Sequence, residues 1–165
     1  MLDRTRVLLI EDNMGDARLL ELMLEEATTS TYDVSHATRL GDAIGLLDQQ
    51  RPDVVLLDLG LPDAHGLDSV RRARAAAGDV PLIVLTGVDD EAMAAQALQE
   101  GAQDYLAKGR IQSEGLTRAI RYAMQRQKIQ TEADLARQRQ LHLKDEFLSH
   151  VSHELRSPLT AIHQF

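Results

Sequence analysis

The sequence has no cysteine, so disulfide frameworks, thiolate metal sites and cysteine nucleophiles are excluded. It also has no tryptophan, and aromatic residues make up only 3% of it. A core must therefore come from Leu, Val, Ile and Ala, which the 44% hydrophobic content supplies. Long apolar runs are missing too. The longest are of the order of Val7–Ile10 and Val54–Leu57, far below the roughly 20 residues that cross a bilayer. No signal-peptide stretch follows Met1, and a cytoplasmic location is expected. A basic surface is absent as well. Residues 1–112 hold 10 Lys and Arg against 20 Asp and Glu, a net of −10, while residues 113–165 hold 8 against 6, a net of +2. That balance gives no electrostatic ground for nucleic acid as a partner.

Short apolar runs alternate with segments of helical periodicity. Strands are expected at Arg6–Ile10, Tyr32–Ala37, Asp53–Asp58, Val80–Thr86 and Gln103–Leu106. Helices are expected at Met14–Ala27, Leu40–Gln50, Leu67–Ala76 and Asp90–Glu100, with another starting near Ser113. Asp53-Val-Val-Leu-Leu-Asp58 is apolar without alternation, as a strand buried on both faces should be. The alternation implies an α/β fold with a doubly wound five-stranded parallel sheet. From Ser113 to Ser157 there is no proline and a single glycine, Gly115, which reads as one long C-terminal helical extension. Leu116, Ile120, Ala123, Ile129, Ala133, Ala136, Leu143 and Phe147 form an imperfect 3.5-residue repeat, with a change of phase near Phe147. Such a stripe needs a partner helix, and a homodimer is expected.

In sheets of this kind ligands sit at the carboxyl ends of the strands. Glu11 and Asp12 follow the first strand, Asp58 ends the third, Thr86 ends the fourth and Lys108 follows the fifth. Three converging carboxylates repel one another, and a hard divalent cation such as Mg²⁺ resolves the repulsion. A carboxylate beside such an ion is a usable nucleophile towards phosphorus, Lys108 can hold a phosphoryl oxygen, and Thr86 can hydrogen-bond another. Any one of these acids could simply be solvated or cap a helix. Their agreement at four strand ends is what points to phosphoryl chemistry.

Four segments carry a resemblance to the receiver domain of bacterial response regulators. They are Val7–Asn13, Asp53–Gly66, Leu85–Gly87 and Asp104–Lys108, and the match covers residues 5–125. It implies a flavodoxin-like sheet of strand order 2-1-3-4-5, with Asp58 as the phosphoacceptor. It further implies that Asp12, Asp58 and the Gly60 carbonyl bind Mg²⁺, with Glu11 acting through water. Thr86 and Tyr105 would be switch residues, and Lys108 would touch the phosphoryl group. The donor would be a phosphohistidine protein. One departure is Gly109, which stands where many receivers have proline.

Near the C-terminus, Phe147-Leu-Ser-His-Val-Ser-His153-Glu154-Leu-Arg-Ser-Pro158-Leu-Thr160 places an imidazole next to a carboxylate. Glu154 could take a proton from His153 and leave its other nitrogen nucleophilic. The zinc-protease pattern HExxH fails, because position 157 is Ser. The string resembles the H-box of sensor histidine kinases, which implies that His153 is a second phosphoacceptor and that Glu154 and Thr160 serve its acid–base chemistry. The expected organisation is a receiver at 1–125, a helical linker at 126–146 and the first part of a kinase dimerisation helix at 147–165. The sequence ends before any ATP-binding domain, so ATP would belong to a missing part of a larger histidine kinase. Two other readings compete. One is a non-enzymatic dimerisation adaptor with a vestigial pocket. The other is a small-molecule phosphatase, which would want a carboxylate at position 60, where the chain has Gly.

Overall fold

The structure is a computed structural model that describes residues 3–87 and 90–163, with side chains as far as Arg156. The elements run β1 (Arg4–Ile10), α1 (Met14–Glu25), β2 (Thr31–Ala37), α2 (Leu40–Gln49), β3 (Val54–Asp58), α3 (Gly66–Ala77), β4 (Leu82–Thr86), α4 (Glu91–Gln99), β5 (Asp104–Ala107) and α5 (Ser113–His163). A single 3₁₀ turn, Lys108–Arg110, separates β5 from α5. All strand pairs are parallel, and the order across the sheet is β2-β1-β3-β4-β5. The expected α/β fold, sheet and strand order are all present. The chain divides into two compact units, Met1–Gln127 and Lys128–Phe165.

The first unit has two cores because alternate residues of one strand face opposite sides of the sheet. Leu8, Ile10, Val55, Leu57, Leu82 and Val84 pack with residues of α2, α3 and α4 such as Leu40, Leu47, Val70 and Ala97. Val7, Leu9, Val54, Leu56, Ile83 and Leu85 pack with α1 and α5 through Leu20, Leu24, Leu116 and Ile120. β3 and β4 are buried at every position, which is why they read as unbroken apolar runs. β4 starts at Leu82, two residues later than its apolar run. Pro81 has no N–H for the ladder, although its carbonyl still accepts from the Val55 amide at 2.9 Å. Gly101, just past α4, has φ +107, and a Cβ there would lie 2.8 Å from Arg74 Cδ, so only glycine fits.

The start of α2 depends on a residue far away in sequence. Its N-cap residue, Arg39, makes no side-chain cap. Asp63, on the loop after β3, caps it instead. The Leu40 amide donates to Asp63 Oδ1 and the Gly41 amide to Oδ2, both at 2.9 Å. These bonds, Gly41's first, hold the Asp63 carboxyl below its ordinary pKa. Asp63→Ala should therefore destabilise the fold by about 1 kcal/mol at neutral pH, the usual worth of a cap. A depressed folded-state pKa gives stability that is complete above the unfolded value of about 3.9 and is lost as pH falls through the folded value. Urea unfolding of both proteins should show the difference at pH 7 and its disappearance in acid below that range.

Candidate functional site

The site is built at the carboxyl edge of the sheet. β1 and β3 are neighbours, and the pairing Ile10↔Leu57 brings the residues that follow, Glu11 and Asp58, side by side. Asn13 caps α1 by accepting from the Asp16 amide at 3.0 Å, which fixes the turn carrying Glu11 and Asp12. The Glu11 backbone is held from the other flank. Its amide donates to the Ala37 carbonyl at 3.0 Å, and its own carbonyl accepts from His36 Nε2 at 2.7 Å. The loop after Asp58 folds back tightly, with Leu61 donating to Ala64 and Gly66 to Leu59. Gly66 has φ +57, a backbone conformation suited to glycine. Thr86 is buried at the end of β4, beside Ala107 on β5.

One oxygen from each of Glu11, Asp12 and Asp58 lies within 4.8 Å of the others. Glu11 is completely buried, Asp58 is nearly so and Asp12 is exposed. Lys108 reaches in from the 3₁₀ turn. Its Nζ is 2.5 Å from Glu11 Oε2, 3.0 Å from Asp58 Oδ1 and 3.2 Å from Asp16 Oδ2. Burial raises the Glu11 carboxyl above its ordinary pKa, against the opposing pull of Lys108 and the Asn13 amide. Burial alone would lower Lys108, but its pairing with Glu11 and Asp58 outweighs that and holds it above the usual lysine range. Both partners therefore move upward, because the glutamate is the more deeply buried of the two.

The donor set fits a hard divalent cation. Glu11 Oε1 accepts from the Asn13 amide at 3.1 Å, and Oε2 is ion-paired with Lys108 without a hydrogen bond. That suits a role behind the ion rather than on it. Asp12 is open to solvent, and Asp58 meets Lys108 through Oδ1. Its Oδ2 faces Gly60, where a Cβ would come to 3.6 Å.

Glu11, Asp12, Asp58, Thr86 and Lys108 thus stand at the strand ends where the sequence puts them, while Tyr105 on β5 is exposed. Gly109 lies within the 3₁₀ turn and is not among the glycines with positive φ. Asp16 escaped the sequence reading. Its partner is 92 residues away, and an acid in the first turn of a helix ordinarily reads as a response to the helix dipole. In the second unit His153 is exposed, and the Glu154 carboxylate lies 3.2 Å from His150 Nε2, one turn earlier, rather than on His153. Adjacent helix residues project about 100° apart, whereas i and i+4 share a face. The Thr160 side chain lies outside the described residues.

Comparison with known proteins agrees with this geometry. The response regulator receiver domain family matches residues 7–121. The methanogenesis regulatory protein FilR1 of Methanothrix harundinacea is 40% identical over 105 residues, which are 62% of this chain and 23% of that protein. The transcriptional regulatory protein KdpE of Staphylococcus aureus is 37% identical over 105 residues, 64% of this chain and 44% of that protein. The chain therefore spans less than half the length of these curated relatives. Among solved structures, the receiver domain of a sensor histidine kinase from Pseudomonas aeruginosa PAO1, with a magnesium ion coordinated in its active-site cleft, superposes with a TM-score of 0.63 at 30% identity. It covers 74% of this chain and 98% of its own. The signal receiver domain of a Luxo repressor protein from Vibrio parahaemolyticus gives a TM-score of 0.68 at 28% identity, with coverages of 79% and 98%.

Removing the ammonium tests how the site is held. Lys108→Met leaves the buried Glu11 carboxylate facing Asp58 without a counter-charge, which should cost about 2 kcal/mol in metal-free buffer, somewhat less than for a fully buried pair. Adding Glu11→Gln should restore much of it. Urea unfolding of the four proteins of the cycle gives the coupling directly, and additive losses would show that the pair does not hold the site.

Proposed function

The chain belongs to the response regulator receiver family, and on that premise we propose that Asp58 accepts a phosphoryl group from a phosphohistidine protein in two-component signalling. The observation that carries this reading is the buried Asp58 carboxylate beside Lys108, at the edge of an acidic cluster that a divalent cation can bind. A carboxylate oxygen of Asp58 bonds to phosphorus as the P–N bond of the donor breaks. The electron pair returns to the donor's imidazole nitrogen, which picks up a proton. Asp12, Asp58 and the Gly60 carbonyl would hold Mg²⁺, with Glu11 behind them. Bound there, the ion neutralises phosphoryl charge. Lys108 holds a phosphoryl oxygen as a point charge, and Thr86 hydrogen-bonds another. Thr86 and Tyr105 then carry the change outward as switch residues.

The long helix gives this reading its second half. Beyond Gln127 the helix exposes Ile129, Leu143, Phe147 and Leu155, each more than three-fifths accessible. Ile129, Leu143 and Phe147, exposed and at coiled-coil spacing, support a second copy as the partner. We propose a dimeric helix that passes the state of Asp58 towards His153, in a piece of a larger histidine kinase whose ATP-binding part lies elsewhere. The H-box string from Phe147 to Thr160 supports that context, as does the likeness to a receiver from a sensor histidine kinase.

Incubation with acetyl phosphate and Mg²⁺ should add one phosphoryl group to the wild type by intact mass. It should add none to Asp58→Asn, and none to wild type in EDTA. A wild type that stays unmodified even with a phosphohistidine donor would return the pocket to the vestigial reading.

Sedimentation should find a dimer in which Ile129→Asp, Leu143→Asp and Phe147→Asp together leave a monomer with an intact receiver. A wild type that is monomeric at high micromolar concentration would remove the partner helix.

A further inference from the structure

The ammonium of Lys108 has three N–H donors and faces three carboxylates, those of Glu11, Asp58 and Asp16. All three lie within 3.2 Å of Nζ, and the Asp16 contact has hydrogen-bond geometry. If Asp58 is the acceptor, as proposed above, a phosphoryl oxygen must compete with these carboxylates for Lys108. Glu11 is fully buried, and leaving its carboxylate without a counter-charge is expensive. Asp58 carries the incoming group itself. Asp16 has a side chain 45% accessible, so water can rehydrate its carboxylate on release. It is the partner that yields at least cost. Its position is set independently of Lys108, because its backbone amide is bonded to the Asn13 cap in the first turn of α1.

We propose that Asp16 is a positioning residue that competes with the phosphoryl group for Lys108 and so slows phosphoryl acceptance at Asp58. With acetyl phosphate, an Asp58 oxygen bonds to phosphorus while the P–O bond to acetyl breaks, and acetate leaves with the electron pair. Lys108 is needed on a phosphoryl oxygen as that transfer proceeds. Each time it rests on Asp16 it must first be released, and Asp16 adds a negative charge at the mouth that the phosphoryl group must approach.

The test compares initial rates of Asp58 phosphorylation by acetyl phosphate at saturating Mg²⁺ for wild type, Asp16→Asn and Asp16→Glu. Asp16→Asn keeps the shape and removes the charge. It should react about two- to fivefold faster, the range of one partly exposed ion pair. Asp16→Glu, which keeps a carboxylate on the same helix face, should stay near the wild-type rate. The gain should persist at 0.5 M salt, because a contact is screened far less than a charge acting across the pocket mouth. Mg²⁺ affinity, measured separately, should be unchanged. An unchanged or slower Asp16→Asn overturns the inference, and so does a gain that vanishes in salt, which would make Asp16 a diffuse charge only. A wild type that accepts no phosphoryl group from any donor is a different failure. It removes the role of Asp58, and with it any competition for Lys108.

Discussion

The carboxyl edge of this sheet rests on one ammonium group. Glu11 and Asp58 are forced together by the pairing of β1 with β3, and both are buried. Two carboxylates so placed repel each other, and the repulsion is offset by a cation between them. Lys108 supplies it from the end of β5, which is separated from β3 by the whole of β4. Only a long, flexible side chain ending in a compact charge can cross that distance and still meet several oxygens at once. The 3₁₀ turn at Lys108–Arg110 launches it, and the Asn13 cap holds the acidic loop that receives it.

That arrangement works against local stability. A buried glutamate whose pKa is pushed up by desolvation is not what packing alone would select. The interiors of β3 and β4 follow the opposite rule, with Val, Leu and Ile filling both faces. The polar residues buried at the ends of those strands are where the fold departs from its own pattern. Such departures mark function more reliably than the conforming positions do.

How much of this could be read in the sequence follows from the same division. The strands, their parallel arrangement and the five strand-end residues were legible because a doubly buried strand leaves an unbroken apolar run and a polar residue at its end. Leu116, Ile120 and Ala123 read as the start of a stripe awaiting a partner helix, whereas the structure buries them against the chain's own sheet. What stayed hidden were pairings between distant segments, which no periodicity encodes. Asp63 capping α2 and Asp16 touching Lys108 are both of this kind. One trace of the first was present. With Arg39 at the N-cap, whose side chain offers no acceptor, the helix needs one from elsewhere. Nothing comparable pointed to Asp16, because an acid in a helix's first turn already satisfies the dipole.

The second unit poses the inverse problem. The portion of α5 from Leu116 to Ala123 has a core to stand on, whereas Ile129, Leu143, Phe147 and Leu155 face outward. Interactions within the helix are small. The His142–Glu146 and His150–Glu154 pairs, at 3.1 and 3.2 Å, are exposed i,i+4 contacts worth a few tenths of a kcal/mol each at about the most. Helices in water draw most of their stability from an apolar face packed on something else. Pairing Glu154 with His150 also leaves His153 exposed, without that carboxylate on its ring. A second chain laid along the apolar stripe would supply the missing packing. In the dimer proposed above, a partner helix would also run past His153, and that reading places any chemistry of this imidazole in the assembled dimer.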